Sequence, residues 1–155
     1  GEHFALLRHA IAPGNGDPTG FELGSCRTQR NLSEEGRNQA VKIGKLFREN
    51  RIQTARLFSS QWCRCLETAK LLEIGPVQAL SFLNSFFNNY DYREAQTKKL
   101  TEWLHEQNLG QPLVLVTHQV NITALTNVYP GSGELVIIRR SKTGEFAVVG
   151  TIKTK

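Results

Sequence analysis

Three short apolar runs constrain this chain most: Phe4-Ala5-Leu6-Leu7, Ala55-Arg56-Leu57-Phe58 and Leu113-Val114-Leu115-Val116, each separated from the next by helical patterns. Runs this short and this apolar read as strands buried on both faces. After the first, Ser33 is placed to cap a helix, with Glu34 and Glu35 in the first turn, where acid complements the helix dipole. Gly36, Ala40, Ile43 and Phe47 then recur on one helical stripe, which carries the helix to about residue 50. Ser59-Ser60 are expected to cap a second helix over 61–73. Leu100, Trp103 and Leu104 mark one side of a third, over 93–108, which Gly110 and Pro112 stop. A short helix fits 121–127, and two strands at 135–138 and 146–152 flank a turn at 142–144. The predicted order is β-α-β-α-α-β-α-β-β. That is an α/β fold, a three-layer α/β/α sandwich with a mostly parallel central sheet and a C-terminal antiparallel hairpin. A length of 155 residues without repeat or linker predicts one domain over 1–155.

Two segments fall outside the regular elements. Residues 12–31 open with three Gly and two Pro, which predicts a long loop without helix or sheet, a length usually tied to function. Residues 81–93 hold Phe82, Phe86, Phe87, Tyr90 and Tyr92 among several Asn, and read as a loop packed down on the body. Together the two segments are expected to frame the mouth of any site. Lys and Arg number 19 against 14 Asp and Glu, a net charge of +5. The excess is spread along the chain, with no basic block. That argues against a nucleic-acid partner and suits a small phosphorylated one. The apolar runs are far too short for a membrane-spanning helix.

Chemistry is expected where strands end, because open α/β sheets gather reactive groups at their carboxyl edges. The first strand ends at Arg8-His9 and the third at Thr117-His118; the second runs into Ser59-Ser60, with Arg64 in the next helical turn. If those strands are parallel neighbours, two imidazoles and two guanidinium groups meet beside a helix N-terminus. Arg binds phosphate oxygens in a planar, bidentate way, and a neutral imidazole is a competent nucleophile near pH 7. The set suits phosphoryl transfer. His105, on a polar helix, reads as a surface residue, and His3 has no expected role. Gly14-Asn15-Gly16 lacks the rest of a dinucleotide fingerprint.

Four separated segments carry a resemblance. Leu7-Arg8-His9-Ala10 resembles the Arg-His-Gly signature of the histidine phosphatase superfamily, the phosphoglycerate mutase-like family. The run from Ser59 to Ala69 is similar to its Ser-Ser-x-x-x-Arg-x-x-x-Thr-Ala segment, and the run from Arg30 to Ala40 to its Leu-Thr-x-x-Gly-x-x-Gln-Ala helix start. Val116-Thr117-His118-Gln119 resembles the segment of its second histidine. The resemblance implies a phosphatase working through a phosphohistidine on His9, with Arg8, Arg64 and His118 holding the phosphoryl oxygens. It adds contacts from Asn15 and from the Gln119 backbone, and it implies no metal and no cofactor. The small phosphohistidine phosphatases are the members most similar in length. Phosphohistidine proteins and small phosphorylated molecules are the substrates this implies.

Two departures from the pattern matter. Ala10 stands where the family has Gly, a small change that is tolerated if φ is negative there. Many members carry a glutamate as proton donor where this chain has Leu83-Asn84-Ser85, and others an acid where it has Gln119. Asp17, Asp91 and Glu134 are the candidate replacements. A missing acid matters least when the leaving group departs readily, as from phosphoramidates and acyl phosphates. It also motivates an alternative, a weak or inactive member that binds phosphorylated ligands.

The chain has three cysteines. Cys63 and Cys65 point about 200° apart on a helix and cannot easily share one metal ion. Cys65 shares its stripe with Ala69 and Leu72, as a core thiol would. Two settings stay open: an exported or periplasmic protein with a Cys26–Cys63 disulfide, or a cytoplasmic one with three thiols. The chain lacks Met and starts Gly1-Glu2-His3 just before the first apolar run, so the natural N-terminus is expected upstream. Oligomeric state is not legible.

Overall fold

The computed structural model describes residues 2–155. Six strands form one sheet in the order β3-β2-β4-β1-β5-β6. In chain order they are β1 (His3–Arg8), β2 (Arg56–Ser59), β3 (Val77–Ala79), β4 (Leu113–Thr117), β5 (Leu135–Arg140) and β6 (Phe146–Ile152). Strands β3, β2, β4 and β1 run parallel, and β5 and β6 add two antiparallel neighbours. Four helices connect them: α1 (Glu34–Glu49), α2 (Cys63–Leu72), α3 (Arg93–Glu106) and α4 (Gln119–Thr126). No helix is long and apolar enough to cross a membrane among the described residues.

Alternation along the strands builds the layers, since successive side chains leave a strand on opposite faces. Phe4, Leu6, Leu113 and Leu115 pack on one face with Leu100 and Leu104 of α3 and Ile122 of α4. Ala5, Leu7, Val114 and Val116 pack on the other with Ile43 and Phe47 of α1 and Cys65, Ala69 and Leu72 of α2. The expected three layers and terminal hairpin are both present. Helices α1 and α2 approach closely because α1 carries glycines. A Cβ on Gly44 would lie 2.1 Å from the Leu72 carbonyl oxygen, and one on Gly36 would lie 2.0 Å from that of Ile11. Ser33 Oγ accepts the Gly36 N–H at 3.0 Å and caps α1.

Three local expectations need correction. β3 was not expected; it has three residues, follows Gly75-Pro76 and lies at the sheet edge, too little pattern to register. Helix α2 starts at Cys63, two residues later than expected; ahead of it the Ser60 hydroxyl accepts the Trp62 N–H at 3.1 Å and lies 2.8 Å from His118 Nε2. The 12–31 loop contains one 3-10 turn, Cys26–Thr28. Residues 81–93 do pack down, through the 3-10 turns Ser81–Leu83 and Tyr90–Tyr92 and buried Leu83 and Phe86.

Candidate active site

The parallel registers place the strand ends side by side. Arg8 pairs with Thr117, and Ser59 with Val116. The ladder continues one step past the strands, His9 N–H donating to the Thr117 carbonyl at 3.1 Å and Ser60 N–H to that of Val116 at 3.0 Å. His9, His118 and Ser60 therefore leave the sheet at one edge. The two imidazoles lie with centroids 5.7 Å apart and planes inclined at 67°. A cavity of about 300 Å³ opens there, and Arg8, His9, Asn15, Asp17, Arg64, His118 and Gln119 all line it.

Family-like residues outside the cavity hold this arrangement. Thr68 Oγ1 accepts the Ala10 N–H at 3.0 Å and donates to the Arg64 carbonyl at 2.7 Å, so α2 is bonded to the backbone just after His9. Gln39 Oε1 accepts the Ile11 N–H at 3.0 Å, and its Nε2 donates to the Ser132 carbonyl at 2.9 Å. Helix α1 thereby clamps the next residue and the turn facing it.

The imidazole of His9 has one defined tautomer. Its Nδ1 lies 2.8 Å from the Ala10 carbonyl oxygen, which can only accept, so Nδ1 carries the hydrogen. Arg64 Nε, which can only donate, points to His9 Nε2 at 3.3 Å. The Nε2 lone pair is thus free of a proton and faces the cations. Burial, with smaller contributions from Arg64, Arg8 and Arg30, pushes the His9 pKa down to about 3. His118 is lowered well below its usual range, by burial first and then by His9 and the arginines. Ser60 Oγ lies 2.8 Å from His118 Nε2, and the Trp62 indole stands edge-on to the His118 ring at 5.3 Å.

Arg8 donates from Nη1 to the Pro130 carbonyl at 2.9 Å, while its Nε is buried with no protein partner. Its pKa is lowered by burial and by neighbouring Arg64. Arg30 also lines the cavity, bonds the carbonyls of Gly16 and Ala12, and is brought down to about 10 by burial and by Arg64. The sequence gives Arg30 no role, although it opens the segment that resembles the family helix start. Trp62 and Phe21 were missed too. They stack at 5.0 Å and wall the cavity from the 12–31 side.

The three candidate proton donors separate. Asp91 is exposed on the turn Tyr90–Tyr92 and does not line the cavity. Glu134 is buried outside it, its Oε1 accepting the Gly131 N–H at 3.0 Å. Only Asp17 lines the cavity, and its carboxylate pairs with Arg64 at 2.9 Å. Burial alone would raise its pKa, but bonds from Arg64, Trp62 and the Arg30 N–H outweigh that and hold it below the usual carboxylate range. At the Leu83-Asn84-Ser85 position, Asn84 is turned inward, accepting the Gln61 N–H at 2.8 Å and donating to Gln61 Oε1. Cys26 and Cys63 form a disulfide, and Cys65 is free and buried, its thiol pushed up to about 12 by burial. No group of three or more His, Cys, Asp or Glu suited to a metal ion occurs among the described residues.

The sequence description of the histidine phosphatase superfamily (branch 1) matches residues 4–84, just over half of the chain. The chain belongs to the histidine phosphatase superfamily. Solved structures share this member's fold from end to end. The protein histidine phosphatase SixA complexed with tungstate superposes with a TM-score of 0.72 at 11% identity, covering 98% of this chain and 97% of SixA. A phosphoserine phosphatase mutant from Entamoeba histolytica, in complex with phosphoserine, gives 0.71 at 16% identity, covering 99% and 98%. A mycobacterial glucosyl-3-phosphoglycerate phosphatase complexed with VO3 gives 0.68 at 18%, covering 96% and 97%. At these identities the likeness is one of fold. No curated protein matches the chain by sequence.

Proposed function

We propose that this superfamily member is a phosphatase that moves a phosphoryl group first to His9 Nε2 and then to water. The observation that carries the reading is the His9 tautomer: Nδ1–H is bound to Ala10, and a bare Nε2 faces a cavity lined by three arginines. In the first step the Nε2 lone pair forms the N–P bond, and the bond from phosphorus to the leaving atom breaks with its electron pair. The Ala10 carbonyl stabilises the imidazolium that results, as a hydrogen-bonded acceptor does in other nucleophilic sites. In the second step water attacks phosphorus, the N–P bond breaks, and neutral His9 and inorganic phosphate are released. Charge on the equatorial oxygens is met by Arg8, Arg64 and a ring N–H of His118, with Asn15 and the first backbone N–H of α4, at Gln119, as further donors. The unpartnered Arg8 Nε finds its acceptor in such an oxygen.

The named neighbours act on a protein histidine phosphate, on phosphoserine and on a glycosylated phosphoglycerate. They share the phosphoryl group and differ in the body attached to it. The proposed substrate class for this chain is accordingly a phosphorylated small molecule or phosphohistidine protein. The test is hydrolysis of an aryl phosphate with alkaline-quench trapping, in which a base-stable, acid-labile phosphoprotein is expected. His9→Ala should lower turnover by at least about a thousandfold, the scale set by loss of a nucleophile. Equal rates in the two proteins would leave a phosphate-binding protein without turnover.

A further inference from the structure

We propose that Asp17 is a positioning residue, which holds the Arg64 guanidinium against His9 and fastens the 12–31 loop over the cavity, and is not the proton donor to the leaving group. The inference rests on the phosphatase reading above and assigns the one cavity carboxylate within it.

The geometry points this way because both oxygens of Asp17 are engaged. Oδ1 accepts from Arg64 Nη1 at 2.9 Å and from the Arg30 N–H at 3.1 Å. Oδ2 accepts from Trp62 Nε1 at 3.0 Å and from Arg64 Nη2 at 3.4 Å. All four partners are donors that cannot accept, so a proton on either oxygen would face an N–H group. The side chain is only 7% exposed. A proton donor at neutral pH needs the opposite surroundings, apolar or anionic ones that favour the neutral acid.

What the carboxylate does is visible at the other end of Arg64. Nε reaches His9 Nε2 at 3.3 Å and Nη1 also reaches the Arg30 carbonyl at 3.3 Å. A carboxylate–guanidinium–imidazole chain thus runs from the loop to the proposed nucleophile. Arg side chains have many rotamers, and a bidentate carboxylate selects one. The same carboxylate sits among three cations, Arg8, Arg30 and Arg64, and leaves a local charge of 3 − 1 = +2. That balances a phosphoryl dianion while easing repulsion among the arginines. The bond from Trp62 ties this chain to the Phe21–Trp62 stack, so the loop and the Arg64 guanidinium are held by one connected set of contacts.

The experiment measures kcat and KM for aryl monophosphates of graded phenol acidity, with one alkyl phosphate, in the disulfide-bonded protein. The variants are Asp17→Asn, Arg64→Ala, their combination, and His9→Ala as control; Asp17→Ser repeats the series if Asp17→Asn melts early. Asp17→Asn should lower kcat/KM about ten- to a hundredfold, by one factor across the series, the scale of a lost charge-assisted bond. The basic limb of the pH profile should not move. In the Arg64→Ala background the same change should cost less than about twofold, since coupled residues are not additive. Titration of inorganic phosphate by calorimetry supplies the same cycle if Arg64→Ala turns over too slowly. A loss that grows with the basicity of the leaving group, or a vanished basic limb, would make Asp17 the proton donor and overturn the proposal. A full loss repeated without Arg64 would reduce Asp17 to a loop fastener and overturn it as well. Wild type no faster than His9→Ala would instead remove the phosphatase reading beneath it.

Discussion

Opening the Cys26–Cys63 disulfide tests how the site loop is held. The bond closes a segment with a sequence separation of 37, which contains residues 26–31 of the loop and all of α1 and β2. Chain-entropy reasoning assigns such a closure about 13 cal/mol/K, or about 4 kcal/mol at 25 °C, located in the unfolded state. The folded state has other fasteners. Gln29 is buried, with Oε1 accepting the Cys63 N–H at 2.9 Å and Nε2 donating to the carbonyls of Glu22 and Leu23. The Phe21–Trp62 stack and the Asp17–Arg64 pair act independently of sulfur. The double variant Cys26→Ser, Cys63→Ser should therefore fold to the same structure and keep most of its activity. Its melting temperature should fall by about 12 °C, since a chain of this length unfolds with roughly 0.33 kcal/mol/K. Calorimetry of the variant, and of wild type with and without a phosphine reductant, reads the shift. Thiol titration in denaturant should find one thiol before reduction and three after. A fall of under about 3 °C, or three thiols in the unreduced denatured protein, would refute the reasoning.

Two further outcomes follow from burial. The His9 pKa is about 3 in the fold against 6.5 for the free side chain, so between these values the unfolded chain binds a proton that the native protein does not. Its contribution is present in full above pH 6.5 and is lost as pH falls towards about 3, roughly 5 kcal/mol in all at 1.36 kcal/mol per unit. Urea unfolding of wild type and His9→Ala should diverge across that window, and an NMR titration of His9 with a midpoint near 6.5 would contradict it. Gly36→Ala would drive a methyl group into the Ile11 carbonyl, two residues from His9. It should cost about 2–4 kcal/mol by urea unfolding, and a loss below about 1 kcal/mol would show that α1 can move away without strain.

Most of the frame was legible because it depends on local patterns. The apolar runs that became β1, β2 and β4 lie inside both cores, so their composition is dictated from two sides. β3 was hidden because a three-residue edge strand owes its existence to the Leu57–Val77 pairing rather than to its own residues. Arg8, His9, Arg64 and His118 were legible as a set since parallel strands must end together, and any short polar run at such an edge shares one crevice. Arg30, Phe21 and Trp62 were not. Their approach depends on how a twenty-residue loop folds over the edge, which non-local bonds decide.

The carboxylates show the limit most clearly, and also its cause. Asp17, Asp91 and Glu134 are alike as sequence, three acids near predicted turns or strand ends. The fold makes one exposed, one a partner of a turn N–H, and one the counter-charge of an arginine. Proton donation requires a carboxyl group that stays neutral, and the surroundings of Asp17 favour its charged form from four directions. The residue type could nominate Asp17, but its surroundings are set by the donors that reach it, Arg30 within the loop and Trp62 and Arg64 at the start of α2, which meet Asp17 through the fold of the loop. In the proposed reaction such a site would give the leaving group little acid assistance, so the acidity of the leaving group itself would set how fast a given phosphate is released.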